Sequence, residues 1–318
     1  MALSLAESAK LSTTNLQRGV IETFVQESSI LDRLPLLPIE GNAYAYNEEA
    51  TLPGVQFRAV NEAYAESTGT VNQKSESLVI LGGDADVDKF IVKTRGNLND
   101  QRAIQTRMKI KAAAFKFQDA FFNGDVATEP KGFDGLRKRL VGAQVISAGT
   151  DGAPIVGEDG KDSHAFFDLL DALIAQVPGL TNANGALYAN RAVIAKIKSA
   201  ARRIGGYEMV REALTGKMVA TYNGIALLDP GQTAAGADIL PQTETQGTAE
   251  NASSIYAVRF GQAEDDRAVT GLTNGGIQVT DLGELESKPS YRTRIEFYTG
   301  LAVFGGRGAA RLNGVLAQ

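Results

Sequence analysis

The chain of 318 residues lacks cysteine and tryptophan and contains a single histidine, His164. Without cysteine it can form no disulfide, no thiolate metal site and no cysteine nucleophile. A serine–histidine–aspartate triad would have to use His164. Ser163 is its neighbour in sequence, and adjacent residues on a helix do not face each other. We therefore predict a surface or capping role for His164.

Long apolar runs and nucleotide-binding motifs are also missing. No stretch is long and apolar enough to span a bilayer, and the opening MALSLAESAKLS lacks the apolar core of a signal peptide. The chain contains no G-x-S-x-G elbow, no G-x-x-x-x-G-K-[ST] loop and no G-x-G-x-x-G after a predicted strand. The net charge of −5 argues against a protein that binds polyanions with its whole surface.

Three acids, Asp84, Asp86 and Asp88, alternate in a way that resembles the start of a calcium loop. Lys89 stands where such a loop needs glycine, and Arg95 stands where it needs glutamate. We therefore exclude an EF-hand. The alternation instead predicts acids on one face of a strand, ready for a basic neighbour.

Two further charged clusters have competing interpretations. Residues 264–266, Glu-Asp-Asp, form either a paired carboxylate site or, as we favour, a solvated turn. Lys131 and residues 137–139 make the densest basic patch, which could contact nucleic-acid phosphates. Only Phe133 lies among these cations, so the patch does not predict base stacking. A solvated or intersubunit face is the alternative.

The most distinctive stretch present is residues 99–123, NDQRAIQTRMKIKAAAFKFQDAFFN, which predicts one helix roughly 35 Å long. Asn99 and Asp100 favour its start, and Asn123 followed by Gly124 favours its end. It carries two apolar stripes. The first contains Ile104, Met108, Phe115 and Phe122, and the second contains Ile110, Ala114, Phe117 and Phe121.

Residues 1–42 look like an extended arm. Thr13 and Thr14 can cap a short helix with an apolar side made by Leu16, Val20, Phe24 and Val25. An apolar stretch, residues 30–39, follows, and its two prolines force an extended path. This stretch needs a surface to lie on, either its own core or a neighbouring subunit.

Residues 43–95 predict a long polar hairpin with strands at 43–46, 55–60 and 71–80. Because an isolated two-stranded hairpin is marginal in water, we expect it to be mobile or to lie on another chain.

The remaining elements suggest a split domain. Helices are predicted from residues 162–163 and after Asn190, and Asn223-Gly224 predicts a hairpin within 219–228. A polar loop over 231–253 and short strands at 255–260 and 276–279 follow. The final long strand, 291–304, needs a partner far away in sequence, and glycine-rich residues 305–308 after it predict a bend.

This order of parts resembles the major capsid proteins of tailed bacteriophages, the Hong Kong 97-like family. The resemblance covers nearly the whole chain and depends on the order in which several short sequence segments follow one another. The most telling pieces are residues 119–125 (DAFFNGD), 132–136 (GFDGL), 187–190 (LYAN), 205–207 (GGY), 291–297 (YRTRIEF) and 309–312 (AARL).

The resemblance implies an α+β capsid fold. Its parts would be an N-terminal arm (1–42), an extended loop with its base strands (43–95), a spine helix and the start of a peripheral domain (96–133), the rest of that domain with an inserted axial domain (134–286), and a returning strand (287–318). It also implies hexamers and pentamers in an icosahedral shell around double-stranded DNA, with the arm and the extended loop reaching along neighbouring subunits. We expect a structural protein rather than an enzyme, present in the virion and assembled in the host bacterial cytoplasm, without a cofactor, metal or membrane. The candidate intersubunit contacts are Leu34, Leu36, Leu37, Ile39, Phe57, Arg58, Lys74, Asp84, Asp86, Asp88, Arg137, Lys138 and Arg139.

The expected partners are further copies of the chain, a portal, a decoration protein and non-specifically contacted DNA. The arm begins close to Met1, which predicts that any scaffold is a separate protein or that this chain is already the mature form. Some family members crosslink a lysine of the extended loop to an asparagine near the chain's end, with the help of a glutamate. In this sequence Lys74 matches the lysine and Asn313 matches the asparagine, but no residue matches the glutamate. The alternatives are an encapsulin-like compartment shell, and a cytosolic α+β enzyme.

Overall fold

The computed structural model of the protein describes residues 28–95, 101–157, 161–204, 208–211 and 218–317. The short helix predicted after Thr13, and the helix start predicted at Asn99 and Asp100, lie outside these ranges. The helices within them are α1 (Lys89–Arg95), α2 (Gln101–Asn123), α3 (Leu136–Arg139), α4 (Lys161–Ala175) and α5 (Arg191–Ile204). The strands are β1 (Leu36–Pro38), β2 (Ala43–Thr51), β3 (Thr70–Ser77), β4 (Val79–Asp88), β5 (Val145–Ser147), β6 (Ala153–Pro154), β7 (Gly185–Tyr188), β8 (Glu208–Arg211), β9 (Met218–Tyr222), β10 (Ile225–Leu228), β11 (Glu244–Gln246), β12 (Ala249–Arg259), β13 (Val269–Glu284), β14 (Ser290–Val303) and β15 (Ala309–Leu316).

The long helix α2 is confirmed, and its two apolar stripes have different environments. The second stripe is buried in the core, where the Phe117 ring lies 6.0 Å from the Phe133 ring and 5.9 Å from the Phe297 ring. In the first stripe Phe122 is buried, whereas Met108 is exposed. Among the described residues, no helix combines the length and hydropathy needed to cross a membrane.

The first sheet has the strand order β1-β13-β14-β4, and α2 packs against β4. The long strand β14 is antiparallel to both β4 and β13, which confirms that it pairs with a strand far away in sequence. β13 is longer than the predicted strand at 276–279. The register shifts between Thr273 and Ile277, where Gly275 and Gly276 adopt positive φ, so the strand continues past an irregularity.

The apolar stretch 30–39 lies in the core of its own subunit. Its strand β1 pairs in parallel with β13, and Gly271 N–H donates to the Pro35 carbonyl at 3.0 Å. Leu34, Leu36 and Ile39 are buried, and Leu37 is half-buried. Leu34, Leu36 and Ile39 are therefore buried within their own subunit, and their contacts with other subunits stay a prediction.

The second sheet has the strand order β5-β15-β12-β7-β10-β9-β8, with β6 on β15 and β11 on β12. Two local predictions are confirmed here. Asn190 Oδ1 accepts the Ala192 N–H at 2.8 Å at the start of α5, and Asn223 and Gly224 turn between β9 and β10 with φ of 50° and 73°. The predicted polar loop at 231–253 is shorter than expected, since β11 and β12 pair within it.

Candidate assembly surface

The predicted hairpin exists, but its strands differ from the prediction. β2 pairs with β3 from Ala43 opposite Ser77 to Thr51 opposite Thr70. Residues 55–60 are not a strand, because Pro53 follows β2 and proline cannot donate to the ladder. The predicted strand 71–80 divides at Leu78, whose N–H donates to the Asn42 carbonyl at 2.8 Å. β3 thus belongs to the hairpin, and β4 belongs to the first sheet.

The tip of the hairpin, residues 52–69, is organised by its own contacts. The Ala59 N–H donates to Glu62 Oε2 at 2.9 Å, and Arg58 Nη1 donates to the Glu62 carbonyl at 3.1 Å. The Arg58 guanidinium also lies 5.1 Å from the centroid of the Tyr64 ring, which is a cation–π distance. Asn61 adopts a left-handed φ of 71°, a conformation that asparagine tolerates better than most residues. The tip therefore presents a defined shape.

The base of the hairpin is anchored to the body by a bidentate ion pair. Arg139 of α3 donates through both terminal nitrogens to the Glu76 carboxylate of β3, one bond measuring 2.7 Å. The side chains are only 16% and 18% exposed, so the pair is partly shielded from solvent. Next to it the Tyr46 ring packs edge-on against Phe304 at 4.8 Å. Burial, assisted by the Glu76 charge, raises the pKa of Tyr46 to about 12.

The acidic turn at residues 264–266 also holds the hairpin. Glu264 accepts the Asn47 N–H at 3.2 Å and the Tyr44 hydroxyl at 3.4 Å. These contacts border a polar recess of about 300 Å³ that Arg267 also lines. No group of three or more His, Cys, Asp or Glu side chains in the described part of the chain is arranged to hold a metal ion.

The alternating acids of β4 find their basic partners on β14 of the same chain. Arg294 Nε donates to Asp84 Oδ1 at 2.8 Å, and Arg292 Nε donates to Asp86 Oδ1 at 2.7 Å. These hydrogen bonds hold the pKa values of both carboxyls below their usual range. Asp88 serves differently, because its Oδ1 accepts the Phe90 N–H at 2.7 Å at the start of α1.

The basic patch is likewise paired within the subunit. Arg137 lies 3.5 Å from the Glu244 carboxylate, and Lys138 lies 3.3 Å from the Asp125 carboxylate. With Arg139 on Glu76, each of the three cations at 137–139 has an acidic partner. On the hairpin, Lys74 pairs with Glu48 at 2.6 Å. The structure thus assigns most of the predicted contact charges to intrachain ion pairs.

Part of the chain matches a known protein family, and the fold matches known structures. A family model described as "Major capsid protein GP7" matches residues 13–157, a little under half of the chain. The capsid of a native GTA particle has 14% sequence identity and a TM-score of 0.63, with 91% of this chain and 90% of that chain covered. A Mycobacterium phage Bobi structure has 15% identity and a TM-score of 0.56, with 90% and 89% covered. The chain has the fold of these capsid structures, the Hong Kong 97-like fold.

The same fold occurs in a cellular compartment shell. The holo-SrpI encapsulin complex from Synechococcus elongatus PCC 7942 resembles this chain with 19% identity and a TM-score of 0.66, covering 91% of this chain and 88% of that chain. At this identity the likeness concerns the fold alone. No curated protein sequence matches this chain significantly.

The chain exposes apolar side chains at the hairpin tip, and sequence reasoning singled out only one of them, Phe57. Their exposed fractions are 75% for Leu52, 95% for Val55, 107% for Phe57, 89% for Val60 and 65% for Tyr64. The signal that could have identified the others is a run of apolar residues without helical or strand periodicity. Clustered exposed apolar side chains are typical of interaction sites.

The single histidine lies on the surface of α4. His164 is exposed on α4, in agreement with the predicted surface position. Ser163 is buried, and its hydroxyl donates to the Ile155 carbonyl at 3.0 Å. The hydroxyl is thus engaged in holding the start of α4 rather than positioned beside the imidazole.

Proposed function

We propose that this chain is a major capsid protein that assembles into hexamers and pentamers of an icosahedral shell, which encloses double-stranded phage DNA. The observation that carries this proposal is the apolar tip, residues 52–69, held out on an anchored hairpin. In the complete shell the tip lies across the neighbouring subunit, where its apolar side chains are removed from water. Full burial of one large apolar side chain is worth about 1.5–3 kcal/mol. Repeated around a symmetric shell, modest contacts add to a stable assembly.

The two buried clusters support a division into two domains. The first sheet with α2 would form the peripheral domain, and the part of residues 134–286 around α4, α5 and β7–β10 would form the inserted axial domain. One group of buried apolar side chains surrounds α2 and includes Tyr188 and Tyr256 of the second sheet, and the other surrounds α4 and α5. The role is structural rather than catalytic. The proposed partners are a separate scaffolding protein, a portal and a decoration protein, with assembly in the host cytoplasm and non-specific contact with DNA.

The test replaces one tip residue in the full-length protein. Phe57→Asp places a charge where the tip would be desolvated, so we expect folded subunits that do not form closed shells. The control is Val126→Asp, at an exposed apolar position outside the hairpin. Circular dichroism checks folding, and light scattering with negative-stain electron microscopy checks assembly, with the scaffold supplied. Normal shells from Phe57→Asp would contradict the role proposed for the tip.

The second candidate is an encapsulin-like compartment shell. It is favoured by the SrpI comparison, which has the highest TM-score of the three structures described above. The contents of particles purified from infected cells distinguish the two functions. Double-stranded DNA inside the particles supports the phage capsid, whereas particles that contain protein cargo and no DNA support the compartment shell.

A further inference from the structure

Glycine follows asparagine at several places in the chain, and this pair of residues is chemically labile. The backbone nitrogen of the glycine can attack the asparagine Cγ, because glycine has no side chain that hinders the approach. The reaction requires a glycine nitrogen that can approach and an asparagine side chain that can turn. The fold therefore determines which of these pairs reacts. The asparagines concerned are Asn123, Asn184, Asn223, Asn274 and Asn313.

The pair at the end of α2 is held by the helix and by the loop beside it. Asn123 Nδ2 donates to the Ile239 carbonyl at 2.7 Å. The Gly124 N–H donates to the Ala120 carbonyl at 3.0 Å, as in a further turn of helix. The side chain and the attacking nitrogen are thus both engaged, and both hydrogen bonds would have to break before the reaction.

The pairs at 184 and 313 are held in the second sheet. Asn184 Oδ1 accepts the Thr181 N–H at 2.7 Å, and Asn184 Nδ2 donates to the Gly179 carbonyl at 2.8 Å. Asn313 lies within β15, where its Oδ1 is buried and the following residue, Gly314, is buried as well. Neither asparagine can turn without disturbing packed residues.

The two remaining pairs, at 223 and 274, are exposed in both residues, but they differ in how firmly they are held. Asn223 forms the tight turn between β9 and β10, in which Tyr222 pairs with Ile225 on either side. Its Nδ2 donates to Asp171 Oδ1 at 3.1 Å. A hydrogen bond to a charged acceptor is stronger than one to a neutral acceptor, so both the backbone and the side chain are restrained here.

The pair at 274 lies where the ladder between β13 and β14 is interrupted. Thr273 pairs with Thr299, and the next paired residue, Ile277, lies opposite Phe297. Residues 274–276 therefore face a single residue of β14. A bulged segment of this kind has no residue-by-residue partner, so its backbone can rotate while the pairs on either side stay intact.

The side chain of Asn274 is also the more weakly held of the two exposed asparagines. Its Nδ2 donates to the Gly41 carbonyl at 3.2 Å, a neutral acceptor at a longer distance than the Asp171 carboxylate is from Asn223. Two consecutive glycines, Gly275 and Gly276, follow with φ of 76° and 67°. Glycine adopts both signs of φ at little cost, so the attacking nitrogen can change its direction.

We propose that Asn274 is a modification site, at which the folded protein deamidates spontaneously to aspartate and isoaspartate. The Gly275 nitrogen forms a bond to Asn274 Cγ and gives up its proton to water, and Nδ2 leaves as ammonia. Water then opens the resulting cyclic imide at either of its carbonyls. One water is consumed and one ammonia is released, and no oxidant or reductant is needed. The inference does not depend on shell assembly, because it concerns the single subunit.

The modification would remove a tie between the first sheet and the start of the hairpin. Gly41 lies in the exposed loop that connects β1 to β2, and its carbonyl accepts the bond from Asn274. A carboxylate at residue 274 has only acceptor oxygens, so it cannot donate to that carbonyl and is repelled by it. Deamidation should therefore release the loop around Gly41 from β13.

The first experiment compares Asn274 with Asn223 in the same full-length protein. The folded protein is incubated at mildly alkaline pH and digested, and the acid forms of both sites are quantified by tandem mass spectrometry. We expect Asn274 to convert several-fold faster than Asn223. The matched control is the same protein unfolded in urea, in which the two sites should convert at similar rates. Asn274→Gln should remove the main product, because the longer side chain would have to close a larger ring.

Two results would overturn the site assignment. In the folded protein, Asn223 could convert as fast as Asn274 or faster. Alternatively, the unfolded protein could show the same preference as the folded one, which would mean that the fold does not select the site.

A second measurement tests the released loop. Hydrogen exchange of the amides at residues 40–42 should be several-fold faster in Asn274→Asp than in the wild type, and unchanged in the control variant Asn223→Asp. Equal exchange in Asn274→Asp and the wild type would show that the modification does not free the loop.

Discussion

Truncation of Leu34 to alanine tests whether the stretch 30–39 belongs to the subunit's own core. Leu34 is fully buried, in a cluster that includes Leu36, Phe117 and Phe297. If the side chain instead served contacts with other subunits, Leu34→Ala would weaken assembly and leave the isolated subunit unchanged. The two assignments therefore differ in the free energy of unfolding of unassembled protein.

The magnitude follows from how little the site can relax. Leu→Ala substitutions in cores cost about 2–5 kcal/mol, and the cost is larger where the surroundings cannot collapse into the cavity. Here the backbone is fixed on both sides, by Leu34 N–H to the Ile30 carbonyl at 2.8 Å and by Gly271 N–H to the Pro35 carbonyl at 3.0 Å. We therefore expect a loss of about 3 kcal/mol or more.

The matched control is Leu37→Ala, which removes the same atoms from β1 at a half-buried position. We expect it to cost about 1 kcal/mol, in proportion to the smaller apolar area that it buries. Both variants are unfolded in urea at a concentration too low for assembly, and the transition is followed by circular dichroism. Equal midpoints for Leu34→Ala and the wild type would refute the core assignment.

Three further predictions concern polar contacts. In a double-mutant cycle of Glu76→Gln and Arg139→Met, we expect a coupling free energy of about 1–2 kcal/mol between the two side chains, measured by urea unfolding. The reason is that the ion pair is bidentate and partly shielded from solvent. A coupling free energy of zero would show that the pair does not anchor the hairpin. Because Arg292 lowers the folded-state pKa of Asp86 below its unfolded value near 3.8, this pair stabilises the fold above about pH 4 and loses that effect as the pH falls further. Unfolding measured from about pH 5 to about pH 2 should thus be less pH-dependent in Asp86→Asn than in the wild type, and parallel curves would contradict this. Asn190→Ala should lower stability by about 2 kcal/mol, since it removes the cap of α5 and a bond from Nδ2 to a backbone carbonyl. Asn190→Ser should lose less, because a serine hydroxyl can also cap the helix, and equal losses would rule out capping as the cause.

The sequence alone determined those helices and turns whose conformation depends on residues close together in the chain. The long helix follows from apolar spacing without an interior proline or glycine, and α5 begins where Asn190 can cap it. The turn between β9 and β10 follows from Asn223-Gly224, since both positions require positive φ. In each case the residues that decide the conformation lie within one or two turns of backbone, so no distant contact was needed to predict it.

Only the tertiary structure decided which partner each surface has. The pattern of residues 30–39 shows that the stretch must be buried, but burial in the subunit and burial against a neighbour require the same apolar side chains. Likewise, the alternation of Asp84 and Asp86 predicted a basic neighbour, and the register of β4 against β14 identified it as Arg294 and Arg292. The physical reason is that the hydrophobic effect and charge attraction do not specify which apolar or oppositely charged surface becomes the partner. The partner is chosen when strands distant in sequence are brought into register.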